Sequence, residues 1–432
     1  MLDITADRPV LVVGAGPAGA TAARTLAAAG VPVRLVDRAA FPRNKPCGGG
    51  ISVRALRRFP YLERELSRIP THAVCRLHLE GPDGEATTIE SDGPAALMVR
   101  RFDFDALLVS LAIEAGAELL SGVDVVKAND TGRWICITAR DGRRFEAPVV
   151  IAADGVHSVV ARRLGLNRGW PASAVALDMM EETPRTSLRD LDPSTLWVAY
   201  GFSPDGVGLA RGRAVREGYA YIFPKRDHVN IGIGYVLNYF RETVAQSPYD
   251  LQRGFVQQLR DRGIVAGASV RQNFTPFLLP VAGPLRQPGR ARVLLAGDAG
   301  GFVNGVTAEG IYYAMVSGEL AARAVIGSGA GPALAGLYAR LADREIGSEL
   351  RDSVLIRRYL FADRRRIARL VTAARRRAAT TRLILEFAKG RYQYPELRRR
   401  LLARFPGLAA RLAWELVVQL AETTKKGVVA RA

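Results

Sequence analysis

The hydrophobic pattern at the start of the chain predicts a strand, a helix and a second strand in succession. Four apolar residues span 10–13, an alanine-rich helical run ends at Gly30, and a second apolar run spans 33–36. A continuous apolar run is typical of a strand covered on both faces, as in a parallel sheet. The first turn reads Gly-Ala-Gly-Pro-Ala-Gly, and the second strand ends on Asp37.

This order of elements favours a dinucleotide site at the first turn. Gly14, Gly16 and Gly19 would serve a tight turn, a close approach of the backbone to a diphosphate, and close helix packing. The unpaired amides at the start of the helix attract an anion. Asp37 stands where a carboxylate can accept hydrogen bonds from both ribose hydroxyls of an adenosine. The alternative is a glycine-rich turn of an ordinary α/β protein, and the ordered strand, helix, strand and acid argue against it.

Further along, the apolar periodicity predicts the rest of a nucleotide domain. A Gly- and Pro-rich loop spans 41–51, and a basic, mostly helical piece follows to Arg68. The next predicted elements are a hairpin over 74–89, a helix that opens at Arg100 and stops at Gly116, a meander of strands over 123–130, 134–140 and 145–147, and a buried strand over 149–153 that leads to Asp154-Gly155.

The character of the chain changes near residue 172, where short alternating strands replace the earlier pattern. Strands are predicted over 174–181, 195–202, 219–223 and 229–236, with one helix over 250–262. An apolar strand at 293–295 then leads to Gly297-Asp298, a helix contains Ile311 and Met315, and nearly everything beyond Pro332 is predicted to be helical.

We therefore expect an α/β fold in which a second domain is inserted into the first. The predicted parts are a Rossmann-type nucleotide domain formed by 1–73, 98–170 and 285–345, an α+β domain with a mostly antiparallel sheet formed by 74–97 and 171–284, and a basic helical region over 346–432.

Charge singles out the last of these regions. The net charge is +19, and residues 351–432 contain 21 Lys and Arg against 6 Asp and Glu. Arginine triplets there alternate with apolar residues at helical spacing, which fits either an anionic membrane surface or a solvated face of a helical bundle. No aromatic interleaving accompanies the arginines, so nucleic acid is not an expected partner.

The remaining composition places the chain among globular proteins of a reducing compartment. The hydrophobic fraction of 48% over 432 residues is enough for sizeable cores. Cys47, Cys75 and Cys136 lie too far apart to indicate a disulfide framework or a metal site. We expect no signal peptide and no membrane-spanning helix, hence a cytoplasmic protein with at most peripheral membrane association.

Four further stretches indicate a family. They are Lys-Pro-Cys-Gly-Gly-Gly at 45–50, Val-x-Arg-x-x-Phe-Asp-x-x-Leu at 99–108, the segment 219–225, and the glycine-rich segment 297–310. With these motifs the chain resembles FAD enzymes of the p-hydroxybenzoate-hydroxylase-like group. Within that group it is most similar to the geranylgeranyl reductase family, which saturates isoprenoid double bonds in archaeal lipids, phytyl precursors and menaquinone side chains.

The resemblance implies FAD as cofactor and assigns roles to particular residues. Arg101 is expected near the ribityl and pyrophosphate region, where a guanidinium pairs with anionic oxygens. Asp298 is expected to accept from a ribityl hydroxyl, with a helix start directly after it aimed at the flavin. The full implied cofactor set is Gly14, Gly16, Ala18, Gly19, Asp37, Arg38, Lys45, Cys47, Gly49, Gly50, Arg101, Val125, Asp154, Gly155, Gly297, Asp298 and Gly301.

The resemblance also implies the reactive residues. Cys47, with Gly48 and Gly49 beside it, is expected at the reactive face of the flavin. An isolated alkene is a poor hydride acceptor, so a nearby acid must add a proton while reduced flavin adds the hydride, and Cys47 is that acid or fixes the water that is. The expected substrate-facing residues are Tyr219, Tyr221, Phe223, Pro224, Gly305 and Ala308.

This chain departs from the family pattern at three of those positions. Tyr221 stands where tryptophan is usual, and Gly305 and Ala308 stand where the family often has proline and glycine. These departures concern the identity of the substrate more than flavin binding.

Other functions with the same architecture remain open from sequence. A flavin hydroxylase of an aromatic or polyketide substrate would lack the Cys47 loop, and a flavin halogenase would carry a different motif at 219–224. A non-catalytic carrier of prenylated cargo would not need intact phosphate and ribose positions. The electron donor is NAD(P)H or a ferredoxin-like protein, and the expected substrate is a prenyl lipid.

Overall fold

The computed structural model describes residues 4–200, 218–361 and 363–389, together with Glu396 and Arg399. Two sequence expectations reach beyond the described residues. They are the last two positions of the strand predicted over 195–202 and, apart from Arg399, the arginine triplet at 398–400 with the apolar residues that follow it.

Nineteen strands are formed by the described residues. In chain order they are β1 (Val10–Val13), β2 (Val33–Asp37), β3 (Gly50–Ser52), β4 (Thr71–Val74), β5 (Arg76–Glu80), β6 (Ala86–Glu90), β7 (Ala96–Val99), β8 (Glu118–Ser121), β9 (Val125–Asp130), β10 (Ile135–Ala139), β11 (Arg144–Ala147), β12 (Val150–Ala152), β13 (Val175–Pro184), β14 (Thr195–Tyr200), β15 (Gly218–Pro224), β16 (His228–Val236), β17 (Phe274–Pro280), β18 (Gly289–Arg290) and β19 (Val293–Leu295).

Twelve α-helices accompany the strands within the same part of the chain. They are α1 (Pro17–Ala28), α2 (Val53–Arg58), α3 (Tyr61–Glu65), α4 (Arg101–Glu114), α5 (Val159–Arg163), α6 (Leu237–Thr243), α7 (Pro248–Asp261), α8 (Ile311–Ser328), α9 (Leu334–Ala342), α10 (Ser348–Phe361), α11 (Arg364–Arg376) and α12 (Ala378–Ala388).

A six-stranded sheet forms the centre of the nucleotide domain, in the order β18-β19-β12-β1-β2-β8. Strand β1 pairs in parallel with β2 and β12, while only β18 at the edge runs antiparallel. Val10 and Val12 pack into the core that contains α1, α4 and α8, and Leu11 and Val13 pack into the core under the meander β9–β11 and α5. Burial on both faces explains the continuous apolar run and confirms the Rossmann-type prediction.

A second, seven-stranded sheet has the strand order β17-β13-β16-β15-β14-β5-β6. Its pairings are antiparallel except for β14 with β5, which confirms the mostly antiparallel sheet. One face packs on α7 through Trp197, Ile231, Phe255 and Leu259. The opposite face carries the alternate residues of β15, which are the predicted substrate-facing ones.

Several short strands escaped the sequence prediction. The strand β17 contains Pro276 and Pro280 and lies at a sheet edge, where proline is tolerated within a strand. The strand β8 has four residues and no buried position, so it offers no apolar run. The small sheet β3-β7-β4 begins with Gly50 at the end of the predicted loop and is fixed by pairing rather than by local pattern.

The C-terminal part is helical as far as it is described, as predicted. Helix α11 buries Ile367, Val371 and Ala374 and packs along β6, where the last two join Leu79 and Ile89 in a small apolar core. No helix among the described residues has the length and apolar character needed to cross a membrane.

Candidate active site

The glycine turn after β1 leaves no room for side chains at two of its positions. Gly14 has φ +96°, and a Cβ there would lie 2.4 Å from the carbonyl oxygen of Ala153. A Cβ at Gly19 would lie 1.8 Å from the carbonyl oxygen of Gly14. Gly16 is the N-cap of α1, Pro17 follows, and no side chain caps this end. The positive end of the helix dipole is thus offered to an anion at the edge of the sheet.

Small residues also let α1 and α8 cross closely behind this turn. A Cβ at Gly318 of α8 would lie 2.0 Å from the carbonyl oxygen of Ala18, and a Cβ at Gly297 would lie 3.1 Å from Ala18 Cβ. Gly297 has φ +59°. The absence of side chains at Gly318 and Gly297 therefore lets α8 and the turn after β19 lie directly against Ala18 of α1.

Asp37 ends β2 beside the glycine turn and fixes its shape. Its Oδ2 accepts a hydrogen bond from the amide of Ala15 at 2.7 Å, and its Oδ1 accepts one from the amide of Ala39 at 2.9 Å. Each carboxylate oxygen has a second acceptor position, so these bonds still allow the predicted ribose contacts. Arg38 next to it is exposed, and its cofactor role stays a prediction.

Two guanidinium groups lie over the glycine turn and share one carboxylate. A Cβ at Gly16 would lie 3.7 Å from Arg43 Nη2 and 4.0 Å from Arg101 Nη2. Arg101 donates to both oxygens of the fully buried Asp105, at 2.5 and 2.7 Å, and Arg43 Nη2 lies 3.1 Å from Asp105 Oδ2. One carboxylate cannot balance two guanidinium charges, so an anion such as a diphosphate would complete the group.

Sequence reasoning identified Arg101, missed Arg43, and gave no role to Asp105, although Asp105 is the aspartate of the motif at 99–108. Arg43 lies in a loop without periodicity, where a charged residue carries no signal of its own. Asp105 is one helical turn after Arg101 and is fully buried, so the i, i+4 spacing was the available clue.

Asp154 and Gly155 follow β12 at the same edge of the sheet. Asp154 Oδ2 accepts from two amides at the start of α5, at 2.8 and 3.2 Å. Its Oδ1 is buried and has no hydrogen-bond partner among the described residues. Burial raises the pKa of this carboxyl, against the hydrogen bonds from the amides of Val159 and Val160. A buried acceptor without a partner is a place for a polar cofactor atom. The Val125 side chain packs in the core below the sheet, and the cofactor role of this residue stays a prediction.

Asp298 lies on the short turn that follows β19. The prediction of a helix start directly after it is wrong, because Gly301 has φ +78° and ends the 3-10 turn 297–300, so that α8 begins only at Ile311. The start of α8 nevertheless returns to this carboxylate, since a Cβ at Gly310 would lie 3.9 Å from Asp298 Oδ1. Burial raises the pKa of Asp298, and the charges of neighbouring cations oppose that rise.

Lys45 is one of those cations, and Arg101 is the other. The Nζ of Lys45 lies 3.1 Å from the ring centroid of Phe277 in β17. Burial, together with repulsion from Arg101, lowers the pKa of Lys45 to about 8, although Asp298 attracts it. Lys45 thus carries a charge that is sensitive to pH near neutrality.

The loop around Cys47 is held tightly by backbone and side-chain contacts. Gly49 has φ +77°, and a Cβ there would lie 2.0 Å from the carbonyl oxygen of Val99. The Cys47 Sγ accepts from the amide of Gly49 at 3.4 Å, and the thiol is one of the groups that act on the buried Arg101 guanidinium. Lys225 Nζ donates to the Cys47 carbonyl oxygen at 3.2 Å. The thiol therefore has a fixed position beside a guanidinium.

Lys225 connects this loop to the second domain. Its side chain is 1% exposed, and its Nζ lies 2.6 Å from Glu182 Oε2 in β13. Arg100 Nε donates to the other oxygen of Glu182, also at 2.6 Å. Sequence reasoning placed Lys225 in a family motif but missed Glu182, whose position depends on the register between β13 and β16.

Three rings of β15, here called the aromatic row, line the face of the sheet beside Cys47. They are Tyr219, Tyr221 and Phe223, with ring centroids 6.2 Å apart for the first pair and 4.6 Å apart for the second. A Cβ at Gly48 would lie 2.5 Å from Phe223 Cδ2, so the Cys47 loop lies directly on the row. At the other end, Tyr219 donates to the carbonyl oxygen of Thr307 at 2.7 Å. The row thus extends from the Cys47 loop to the loop after Asp298.

A carboxyl group that sequence reasoning missed lies behind the aromatic row. The Tyr221 ring crosses Gly232 of β16, where a Cβ would lie 2.4 Å from Tyr221 Cζ. Its hydroxyl reaches Asp178 of β13, 3.1 Å from each carboxylate oxygen. Burial raises the pKa of Asp178 to about 7, against the hydrogen bond from Tyr221 and the charge of Lys45.

The other expected substrate-facing residues lie at the margins of this face. Pro224 is buried at the end of β15. Gly305 donates its amide to Ser353 Oγ at 2.8 Å, and a Cβ there would lie 3.1 Å from Val354 Cα, so it packs on α10. Ala308 has φ +55°, a conformation that glycine adopts more readily. Their substrate roles stay predictions. No group of three or more His, Cys, Asp or Glu among the described residues could hold a metal ion.

Comparison with known proteins gives a family and a fold. The family described as FAD binding domain matches residues 7–323. A menaquinone reductase from Mycobacterium tuberculosis is 33% identical over 333 residues, 74% of this chain and 76% of that protein. A geranylgeranyl diphosphate reductase from Rhodobacter capsulatus is 31% identical over 329 residues, 73% of this chain and 74% of that protein.

A solved structure shares the fold over nearly its whole length. The geranylgeranyl bacteriochlorophyll reductase-like protein from Thermoplasma acidophilum superimposes with a TM-score of 0.73 at 21% identity. The match covers 91% of this chain and 98% of that one.

Proposed function

The chain belongs to the FAD binding domain family and, within it, to the geranylgeranyl reductases, and on that premise we propose that it saturates isolated double bonds in the isoprenoid chain of a lipid, a quinone or a prenyl diphosphate. It is an FAD-dependent oxidoreductase, as the sequence predicts. The glycine turn, the paired guanidinium groups and the unpartnered Asp154 oxygen fit the diphosphate and ribose of FAD.

The observation that carries the proposal is the contact of the Cys47 loop with the aromatic row. Gly48 packs on Phe223, so a fixed thiol and an apolar wall meet at one place. Burial of each CH2 group of an isoprenoid chain contributes about 0.8 kcal/mol to its binding free energy, so apolar contact with the aromatic row would suffice to bind a long chain. A small polar aromatic substrate would not need a wall of this length.

The chemistry requires a hydride on one alkene carbon and a proton on the other. Reduced FAD supplies a hydride when it is bound. The Cys47 thiol, or a water that it orients, supplies the proton. The nearby Arg101 charge and the amide of Gly49 would stabilise the thiolate left behind. The remaining side chains of the row exclude water from the bond being reduced.

Substitution of Cys47 tests this assignment. We expect Cys47→Ser and Cys47→Ala to lower substrate reduction by about 100-fold or more, the usual contribution of a positioned acid, while FAD still binds and is still reduced by dithionite. Reduction of substrate and reoxidation of flavin are measured separately under anaerobic conditions. Cys75→Ser is the matched control, since Cys75 joins β4 to β5 away from the row. Unchanged turnover in the Cys47 variants rejects the assignment.

The electron donor is NAD(P)H or a ferredoxin-like protein. The single dinucleotide fingerprint in the sequence is the one at Gly14–Gly19, so a nicotinamide would bind only transiently. Anaerobic flavin reduction by NADH, NADPH and reduced ferredoxin, compared at equal concentration, distinguishes the donors. Dithionite serves as the reference for complete reduction.

The basic helices support a second contact, with an anionic membrane surface from which a prenyl lipid is collected. Some arginines are already engaged, because Arg375 pairs with Glu85 and Arg364 donates to the backbone of Pro82. Arg365 and Arg369 of α11 are exposed and lie one helical turn apart. Exposed basic residues near an anionic surface contribute about 1 kcal/mol each.

A cleft between α11 and α12 offers the same chemistry in a smaller space. It has a volume of about 560 Å³ and is lined by Asp92, Arg375, Arg376, Ala378, Thr381, Arg382, Leu385, Glu386 and Lys389. Its cations would suit a phospholipid head group or a diphosphate.

Vesicle binding tests the membrane contact. We expect the protein to sediment with phosphatidylglycerol vesicles at low salt, less at high salt, and less again in the Arg365→Glu, Arg369→Glu double variant. The exposed Arg57 of α2, changed to Glu, is the control. Absence of binding to anionic vesicles at low salt rejects this contact.

A further inference from the structure

The mechanism above leaves one acid of the site, Asp178, unused. Asp178 faces the same side of the sheet as the aromatic row, and its two oxygens each lie 3.1 Å from the Tyr221 hydroxyl. Tyr221 is the position at which this chain departs from the tryptophan of the family pattern. The departure therefore adds a phenol to the aromatic row, and that phenol is hydrogen-bonded to a carboxyl group.

The backbone around the pair is arranged so that the two groups meet. Asp178 of β13 lies opposite Gly234 of β16, and Tyr221 of β15 lies opposite Gly232 of the same strand. Because β16 has no side chain at either position, the Tyr221 ring can lie across it and reach the next strand. A Cβ at Gly232 would lie 2.4 Å from Tyr221 Cζ, so this reach requires glycine.

The groups that face the pair come from three elements. Lys45 of the Cys47 loop is the charged group that acts on Asp178. The charge of Asp178 in turn acts on the phenols of Tyr219 and Tyr221 in β15. Strand β17 contributes Phe277, which pairs with Asp178 and contacts Lys45. The Tyr221 ring centroid lies 4.6 Å from that of Phe223, on which Gly48 of the Cys47 loop packs. Asp178 is thus linked through Tyr221 to the side of the pocket that holds Cys47.

We propose that Asp178 is the proton reserve of the reduction and that the Tyr221 hydroxyl passes its proton to the pocket beside Cys47. The inference rests on the proposed function. In each turnover the alkene π bond breaks, one carbon gains the hydride as flavin is oxidised, and the other carbon gains the proton of the Cys47 thiol. The thiolate regains a proton from the Tyr221 hydroxyl, the phenolate from the Asp178 carboxyl, and the Asp178 carboxylate from water.

The carboxyl can play this part near neutral pH. Burial raises the pKa of Asp178 to about 7, so it holds its proton below that pH and has lost it above. An ordinary aspartate would be ionised throughout the range and could not supply a proton. The rate of repeated turnover should therefore fall as pH rises through about 7.

The experiment compares wild type, Asp178→Asn, Asp178→Glu and Tyr221→Phe as FAD-loaded enzymes. We expect Asp178→Asn to lower steady-state reduction of geranylgeranyl diphosphate about 10- to 100-fold and to abolish the decline above pH 7, because the amide keeps an acceptor for Tyr221 but holds no acidic proton. Asp178→Glu should restore part of the rate and the pH dependence. Tyr221→Phe should lower the rate to a similar extent. Tyr200→Phe is the matched control, a buried phenol of β14 beyond Tyr219, and should leave both unchanged.

A second readout does not depend on turnover. Infrared difference spectra of the oxidised holoenzyme should show a protonated-carboxyl carbonyl band that disappears as pH rises through about 7 and is absent in Asp178→Asn. A wild-type spectrum without this band, or an Asp178→Asn enzyme with the rate and pH profile of wild type, overturns the proton reserve and leaves the proposed reduction intact. A wild-type enzyme that reduces no prenyl substrate overturns both.

Discussion

At the scale of single residues, the two guanidinium groups above the glycine turn should differ in what they contribute to FAD binding and to the stability of the fold. Arg101 is nearly fully buried and makes two bonds to Asp105, whereas the more accessible Arg43 makes one ion pair to the same carboxylate. We expect Arg101→Gln to weaken FAD binding about 10- to 100-fold and to destabilise the apoprotein by about 2 kcal/mol, because it removes most of the compensation of a buried charge. Flavin fluorescence titration and urea unfolding measure the two effects.

Arg43→Gln provides the contrast within the same pair. It should weaken FAD binding by about tenfold while leaving unfolding nearly unchanged, because Arg101 still satisfies Asp105. Arg57→Gln, on the exposed face of α2, should change neither quantity. Equal loss of stability in the Arg43 and Arg101 variants would show that the carboxylate is shared evenly.

Lys45 predicts a pH dependence of cofactor binding. Its pKa is lowered to about 8 by burial and by Arg101, so the side chain is charged below that pH and neutral above it. FAD is anionic, so its affinity should fall as pH rises through about 8, by up to tenfold for each further unit. Titrations of FAD between pH 7 and 9.5 measure the effect. Lys45→Arg keeps its charge and should flatten the curve, and a wild-type affinity that is constant over this range contradicts the assignment.

Residues also show where sequence reasoning stops. Asp37 and Arg101 could be placed because each has a fixed distance along the chain from a recognised motif. Asp178 and Glu182 could not, because their contacts depend on which residue of β13 lies opposite which residue of β16. Strand register is set by the whole sheet, and a shift of one residue would turn both carboxylates to the other face.

At the scale of elements, the crossing of α1 and α8 supports the glycine turn. A Cβ at Gly318 would lie 2.0 Å from the backbone of Ala18, which cannot move without displacing the turn. Gly318→Ala should therefore destabilise the protein by about 2 kcal/mol or more and weaken FAD binding. Gly254→Ala in α7 is the matched control, since a Cβ there meets nothing within 4 Å, and it should stabilise by about 0.5 to 1 kcal/mol. Urea unfolding followed by circular dichroism measures both, and a neutral Gly318→Ala contradicts the close crossing.

The loop between Asp298 and α8 contains a strained residue. Ala308 has φ +55°, which costs an alanine about 1 kcal/mol relative to glycine. Ala308→Gly should raise the free energy of unfolding by about 0.5 kcal/mol, after the greater freedom of glycine in the unfolded chain is subtracted. Urea unfolding again provides the measurement. A loss of more than 1 kcal/mol would show that the methyl group has a packing role.

Helices and strands differ in how well their own hydrophobic pattern predicts them. The unit β1-α1-β2 was predictable because both faces of the sheet are covered and the glycines occur at the turn. Strand β17 was not, since its two prolines argue against a strand except at an edge, and only the assembled sheet makes it an edge. The helix expected after Asp298 failed for a similar reason, because Gly301 adopts a left-handed conformation that the sequence leaves optional.

At the scale of the whole molecule, the candidate site combines one edge of the six-stranded sheet with one face of the seven-stranded sheet. The nucleotide domain supplies the glycine turn, the guanidinium pair and Asp298, and the second domain supplies the aromatic row with Asp178 behind it. The Cys47 loop contacts residues of both domains. Arg101 of the nucleotide domain lies near the thiol, Lys225 of the second domain donates to the Cys47 carbonyl oxygen, and Phe223 packs on Gly48. The motif order along the chain predicted which stretches carry the site, while the contact between them required the folded structure.

The central claim is that this junction reduces isolated double bonds in isoprenoid chains. Its most direct test is anaerobic incubation of the dithionite-reduced FAD enzyme with geranylgeranyl diphosphate, prenylated quinones and prenyl lipids, followed by mass spectrometry. We predict products heavier by two hydrogens for each bond reduced, with stoichiometric reoxidation of the flavin. No mass change in any prenyl compound, together with a product that gains oxygen when air is admitted, would contradict the account and identify a hydroxylase instead.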